Sequence, residues 1–561
     1  MSLVPFLAVC FGAAAAALFV HRYRRLSLAI GLLGLAMATV AALAIVPGDR
    51  LTVGPGRLET TEFGRLFLVL GCATGTVVAV VGLATAWERD LPAALLGGFG
   101  ALGLALSIGD PLIALVAILA GALVGSLVTL VRPVTPRNVQ VASREFRAIA
   151  VAGALALLGM AWIARPLGPL AEEPTVFGLA YLAVALAAAI RFGEIPFHRW
   201  AARLADSAPE VALPLLLAWA PAGFAVVALA WTDRSIAPLL LPLEVERAVI
   251  LSVGILSIIL GVAAAWLQDD LEHVVGYSIV QDAGFIVLGL AILDPSAWQP
   301  TRTWILVFVV AKTAFAAWAV AVRTRFGTRR IADLGGWARR SPGLALAFVL
   351  IAAATIGLPG LVAWDVRGRL VDLSLTEGPV RLLVTLGGLA SLLYYGRIAI
   401  AGVRAPSTLV AAGASERPRL PGPAGVGGSA LAGAPTGSDA VDRRLPASLA
   451  RLETRWTAGW AANRAPIASL GVLLLALTAI TVAAGGLGGP VAAAAPAPEP
   501  AAPTETFVPD QTEPPSLSPG ASEEPGGSEQ PSAEPSGEPS AEPSGEPSAE
   551  PSAGPLPTPT P

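Results

Sequence analysis

Apolar residues run along this chain in long unbroken stretches, separated by short clusters of charge, proline and glycine. A run of about 17–25 apolar residues is long enough to cross bilayer hydrocarbon as a helix. Fourteen can be placed, near residues 2–20, 27–47, 63–86, 91–108, 111–131, 148–170, 175–191, 212–231, 246–267, 273–293, 303–323, 343–363, 378–400 and 466–487. The pattern predicts an all-α polytopic membrane protein of about 14 transmembrane helices. The first run resembles a signal peptide, but no convincing small-residue cleavage site precedes the cluster HRYRR, so it reads as a retained helix.

Two stretches break the apolar pattern. One is RFGEIPFHRWAARLADSAPEV at 191–211, and the other is ATIGLPGLVAWDVRG at 354–368. Irregular backbone at membrane depth is tolerated only where it is buried in protein or lines a cavity. Breaks in corresponding positions of two halves are the layout of an ion pathway built from inverted repeats. The organisation expected is N-terminal helices at 1–108 and a conducting core at 109–400. A Pro/Gly/Arg-rich loop at 401–465, a last helix at 466–487 and an acidic tail at 488–561 come after it. The tail's EPSGEPSAEPS units cannot bury enough apolar area to offset chain entropy, which predicts disorder. A spacer or binding tail and a plain solvated extension both remain open.

Composition agrees with the apolar pattern. Hydrophobic residues make up 55% and charged residues 14%, against about 25% charged in a soluble domain. Cys10 and Cys72 lie in apolar runs and read as small buried hydrophobes. His21, His198 and His273 are far apart, and no iron–sulfur, haem, zinc or nucleotide-binding spacing is present. The chain is therefore expected to carry no metal, no cofactor and no redox chemistry of its own, and nothing points to nucleic acid.

Arginine placement tests the count of spans. Basic clusters follow the first run (Arg22, Arg24, Arg25), the fifth (Arg132, Arg137, Arg144, Arg147), the eleventh (Arg323 to Arg340) and the thirteenth (Arg404 to Arg464). All are odd-numbered exits. The positive-inside rule then puts these loops in the cytoplasm and both termini outside the cell membrane. The acidic run QDDLEH after the ninth span falls on the same side, against the trend, but acids weigh little in that rule.

Lysine and arginine total 37, and only one of them is lysine: Lys312, near the middle of WILVFVVAKTAFAAWAVAV. An ionisable group at bilayer depth costs about 2.5–3.5 kcal/mol even on insertion scales. A desolvated lysine, unlike arginine, can lose its proton. Lys312 therefore reads as a proton-handling group, with a snorkelling or packing lysine as the alternative. In the first break Arg191 and Glu194 are three residues apart, so a helix would place them on one face as a pair. His198, Asp206 and Glu210 extend the series. A polar chain through the bilayer and a solvated amphipathic turn are both open readings. The second break contributes Asp365 and Arg367.

Several runs carry a resemblance. Arg191 to Trp200, continued by Ala-Asp-Ser-Ala-Pro-Glu210, resembles the K-x4-PFHxWxPDxxxxAP stretch of the proton-translocating antiporter-like subunits of respiratory complex I and of Mrp antiporters. Gln268 to Phe285 resembles their Q-T-D-x-K-R-x-x-A/G-Y-S-S-I-S-H-x-G-Y stretch. Ala311 to Phe315 resembles FKAxLF, Thr328 to Gly336 resembles TRDIxxLGG, and Gly357 to Arg367 resembles GLPPLxGFxxK. Tyr394-Tyr-Gly-Arg397 resembles the late YYxxR of subunit N in particular.

The resemblance implies a fourteen-helix fold, other membrane subunits as partners, and a mid-membrane row of charges passing protons. Quinone reduction would be carried out elsewhere in such a complex, an NADH–quinone oxidoreductase. On matching positions Lys312 keeps the family lysine and Asp282 replaces a frequent histidine. Arg191 and Arg367 replace lysines, and Glu272 and His273 stand where the family has Lys-Arg. The fifth run has no acid to match the family's glutamate, and Ala220-Pro221 stand at the family's eighth-segment lysine. The first half of the expected conduit therefore looks degraded, with Glu194 beside Arg191 as an alternative acid. Membership of an Mrp-type sodium/proton antiporter or membrane-bound hydrogenase, or a non-conducting structural role, are the alternatives.

Overall fold

The computed structural model describes residues 2–486 except 22, 54–55, 86–90, 127–135, 165–173, 205–209, 376–377 and 406–446. The tail at 488–561, most of the expected loop at 401–465, and Asp206 in the first break lie outside the described residues. The helices run α1 Leu3–Phe19, α2 Arg24–Leu43, α3 Glu62–Thr85, α4 Leu91–Ser107, α5 Pro111–Ser126, α6 Pro136–Ala164 and α7 Pro174–Phe192. Then come α8 Arg199–Leu204, α9 Ala220–Ser235, α10 Glu244–Leu267, α11 Leu271–Ala291, α12 Trp298–Phe326 and α13 Trp337–Arg340. The last are α14 Pro342–Ile356, α15 Val362–Ser374, α16 Pro379–Leu389, α17 Ser391–Val403 and α18 Ala447–Ala483. Among the described residues ten helical stretches are long and apolar enough to cross a membrane, and the shorter apolar α1, α4, α5 and α14 complete fourteen.

Four details differ from the sequence expectation. A two-stranded antiparallel hairpin, β1 Arg50–Val53 and β2 Gly56–Glu59, interrupts the all-α plan, with Arg50 opposite Glu59. Its strands are too short for alternation to reveal them. Helix α6 starts at Pro136, not near 148, so Arg144 and Arg147 are exposed on a helix and not in a loop. The eighth span opens with one π-helical turn, Leu215–Trp219, ahead of α9. Helix α18 begins at Ala447, inside the stretch read as loop, and carries Pro466 within it.

The core sits around α12, which packs against α3, α11, α14, α15 and α18. It is buried along nearly its whole length because apolar neighbours surround it on every side. Helices such as α2 instead leave Leu33 and Val40 exposed, as surfaces facing lipid do.

Both expected breaks exist. Helix α7 ends at Phe192 and the chain turns at Gly193 (φ +67°), then passes a cis Ile195–Pro196 bond into the short helix α8. Helix α14 ends at Gly357 (φ +61°) before α15 resumes at Val362. Left-handed backbone costs an L-residue roughly 1–2 kcal/mol, so glycine at these two corners lets the helices stop in a packed interior.

The acidic run QDDLEH meets the basic loop after α12 directly. Glu272 pairs with Arg323 (2.9 Å) and Arg329 (3.2 Å), and Asp270 with Arg329 (3.5 Å). Asp269 pairs with Arg397 at 2.7 Å, and backbone bonds join Leu271 to Arg329 and Ile331 to Asp269. The acids and the arginines therefore share one face of the membrane. The acidic run neutralises a basic patch there and does not oppose the topology.

Candidate proton pathway

Two buried polar clusters lie inside the helical bundle, one at each break. The cluster at the second break centres on Lys312. This is the middle residue of the 29-residue α12 and is fully buried. Its Nζ stands 2.7 Å from Oδ2 of Asp282 on α11, which is 1% exposed. The contact is close but poorly aligned, and neither the ammonium nor either Asp282 oxygen completes a well-directed hydrogen bond. An ammonium has three donors and a carboxylate about four acceptor sites, so this pair has unused capacity in a place where unsatisfied polar groups are costly.

The surroundings hold the pair in register. Trp304 on α12 donates its indole N–H to the Asp282 carbonyl at 3.0 Å, stitching α11 to α12. Gln281, beside Asp282, accepts from the Tyr394 hydroxyl at 3.0 Å. Arg367 lies at the end of the second break. It donates to the carbonyls of Thr355 (3.4 Å) and Ile356, the groups freed where α14 stops. A cation at a helix C-terminus is favoured by the backbone dipoles. The guanidinium also stacks 5.2 Å from the Trp304 ring centre and 5.5 Å from that of Phe285. It acts electrostatically on both Asp282 and Lys312. Asp365, two residues earlier, is exposed and does not join this cluster. Two helical steps of about 100° each turn it to the opposite, outer face of α15.

The first break holds Arg191 and Glu194, both buried, but they do not pair. Helix α7 ends between them, so the three-residue spacing no longer places them on one face. Arg191 Nε and Nη1 and both Glu194 oxygens make no well-formed hydrogen bond. Ser257 of α10 sits beside Glu194, its oxygen accepting from the Ile195 amide at 2.9 Å. His198 is half-buried with Nδ1 unpartnered, its ring 6.3 Å from that of Tyr277.

The charge acting on Arg191 is Glu145 on the neighbouring α6, without direct ion-pair contact. Glu145 is 2% exposed. The fifth run lacks an acid, as the sequence shows, but the first half does not: Glu145 supplies one from the next helix. A sixth run drawn from 148 leaves this residue in a loop. The signal for it is nonetheless present in the sequence. Glu145, Ile149, Ala152, Ala156 and Met160 recur at four- and three-residue steps and all five are buried, the stripe of one packed helix face.

Known proteins share this architecture. Residues 112–389 match the family described as NADH:quinone oxidoreductase/Mrp antiporter, TM. The match covers just under half of the chain, its membrane core. Subunit N of the NADH-quinone oxidoreductase of Hydrogenovibrio crunogenus is 27% identical over 229 residues, covering 40% of this chain and 46% of its own length. Subunit N from Thiobacillus denitrificans is 28% identical over 252 residues, with 44% and 51% covered. The chain thus spans about half the length of the curated relatives it matches. Among solved structures, a chain of respiratory complex I from Thermus thermophilus aligns with TM-score 0.60 at 21% identity, covering 86% of this chain and 97% of that one. A chain of the Mrp complex from a Dietzia species gives TM-score 0.61 at 19% identity, covering 87% and 94%. At these identities the likeness is one of fold. The protein is thus a multi-pass membrane protein with an antiporter-like fold.

Proposed function

We propose that this chain is a proton-translocating membrane subunit of a complex I-like NADH–quinone oxidoreductase. In this reading it sits in the cell membrane with both termini outside, beside other membrane subunits. Quinone reduction elsewhere in the assembly drives proton transfer through it, and the redox groups belong to those partners. The subunit N relatives support the assignment of complex.

The observation that carries the transport reading is the Lys312–Asp282 pair, buried at the middle of the core helix α12 and short of hydrogen bonds. An amine so placed can exist charged against Asp282 or neutral after giving its proton to water. Moving a nearby charge shifts the balance between the two forms. Arg367 cannot perform that exchange, because guanidinium stays protonated. It serves as a fixed positive charge that biases the pair and caps α14.

The test uses membrane vesicles containing the assembled complex, with proton uptake followed during quinone reduction. Lys312→Met abolishes proton uptake while the chain still assembles, and Lys312→Arg is nearly as harmful, since charge without titration is insufficient. Undiminished uptake in Lys312→Met would remove Lys312 from the mechanism and leave a structural subunit. The equally good fold match to an Mrp complex favours one second reading, an antiporter subunit. Co-purification with a redox complex or with an antiporter assembly separates the two.

A further inference from the structure

We infer that Glu194 is the proton-binding group of the first break, a role that falls to a carboxyl here because the cation beside it is an arginine. The inference rests on the proposal that the chain carries protons. It adds a residue to that pathway for which the family resemblance supplies no counterpart: within the matched stretch Glu194 occupies one of the unspecified positions between the family's lysine and its PFH motif.

Three observations carry it. First, Glu194 is fully buried, and both carboxyl oxygens lack a well-formed hydrogen bond. An isolated buried carboxylate is strongly disfavoured, and such a group takes up a proton unless a cation neutralises it. Second, no cation neutralises it: Arg191 forms no ion pair with Glu194, and the turn at Gly193 separates the two. Third, Ser257 is placed to serve a carboxyl in either form. Its oxygen lone pair already accepts from the Ile195 amide, which leaves the hydroxyl proton to be donated.

The break itself creates the site. Had α7 continued, Glu194 would share a face with Arg191 and be held as half of an ion pair. The turn at Gly193 separates them, so the carboxyl faces α10 instead. The exchange is simple. Water delivers a proton, an O–H bond forms on Glu194, and the neutral carboxyl later returns that proton to water. Half-buried His198, its buried Nδ1 without a partner, lies four residues along in the same break.

The experiment uses the same vesicles with four chains: wild type, Glu194→Gln, Glu194→Asp and Lys312→Met. Immunoblotting of the purified assembly checks incorporation. Glu194→Gln is expected to reduce proton uptake to the level of Lys312→Met, while Glu194→Asp keeps a measurable part of it. Infrared difference spectra of the wild type, between resting and turning-over states, should show a carboxyl C=O band that shifts in Glu194→Asp and vanishes in Glu194→Gln. A merely structural glutamate would produce no such band. Normal uptake in Glu194→Gln alongside failure of Lys312→Met overturns this inference and leaves the transport reading standing. Normal uptake in both overturns both. If Glu194→Gln fails to assemble, an absent or unshifted band in Glu194→Asp overturns the inference.

Discussion

Removing the Lys312 amine should destabilise the protein more than removing the amine and its partner together. Lys312→Met leaves Asp282, 1% exposed, without the cation now 2.7 Å away. Breaking a buried pair by deleting one member costs about 3–5 kcal/mol. Arg367, which also acts on Asp282, brings the loss toward the lower end. Asp282→Asn strands the ammonium, a loss of the same kind and size. The double variant Lys312→Met/Asp282→Asn strands neither charge. Replacing a buried pair by neutral groups is often close to neutral overall, so it should recover most of the loss. Unfolding midpoints of the assembly in detergent for the four chains complete the cycle, with an expected coupling of at least about 2 kcal/mol. Single-variant losses that simply add, with coupling below about 0.5 kcal/mol, would refute a functional ion pair at this position.

The remaining expectations concern other elements. Glu145→Gln removes the charge that acts on Arg191 and should slow proton uptake with assembly retained; an unaltered rate in the vesicle assay contradicts a first-half role for it. Gly357→Ala places a Cβ 2.8 Å from the Arg367 guanidinium at a left-handed corner, and should lower the unfolding midpoint by an amount equivalent to about 1–3 kcal/mol. Asp294 accepts from the Ser296 amide (2.7 Å) ahead of α12, and this bond holds its carboxyl below the ordinary value. A depressed carboxylate contributes stability above its unfolded value of about 3.9, lost as pH falls through the folded value. Solvent screens this exposed cap, so Asp294→Ala should cost only about 0.5–1 kcal/mol near pH 6, and progressively less as pH falls below the unfolded value, by thermal unfolding. Single cysteines at Arg339 and at Leu240 in an otherwise cysteine-free chain should label from opposite faces, the first from the cytoplasm, as read with a membrane-impermeant thiol reagent.

The spans were legible because a bilayer imposes its own thickness on apolar runs, and the fourteen runs correspond to the apolar helices of the described residues. The breaks were legible as glycine and proline set among charges. The lone lysine marked the centre of the second cluster, and its pairing with Asp282 is present in the structure. Three kinds of information were out of reach. Helix ends depend on packing, so α6 starts about a dozen residues before its apolar run and takes Glu145 with it. Pairing by spacing presumes a continuous helix, and Gly193 voids that presumption for Arg191 and Glu194. Contacts between distant segments, such as Gln281 with Tyr394 or Glu272 with Arg323 and Arg329, have no local signal at all.

The two arginines at the breaks have a common explanation. Each break carries one permanent positive charge, Arg191 or Arg367, and one charge left over. Around Lys312 the set is two cations and one anion; at the first break Glu194 is buried with no cation paired to it. In a medium of low dielectric an odd charge is costly, and the least disruptive remedy is a proton leaving the first set or entering the second. Lysine can release one and a carboxyl can accept one, whereas the arginine in either set can do neither. Replacing lysine by arginine at the breaks therefore need not silence the pathway. It fixes the charge that does not move and leaves exchange to Lys312 in one half and a carboxyl in the other. Lysine at position 191 should then restore a second exchangeable amine, and Arg191→Lys in a Glu194→Gln background should recover proton uptake that Glu194→Gln alone loses. Failure of that rescue, with both chains fully assembled, would mean that the two halves are not matched by charge and that the Arg191 site contributes only to packing.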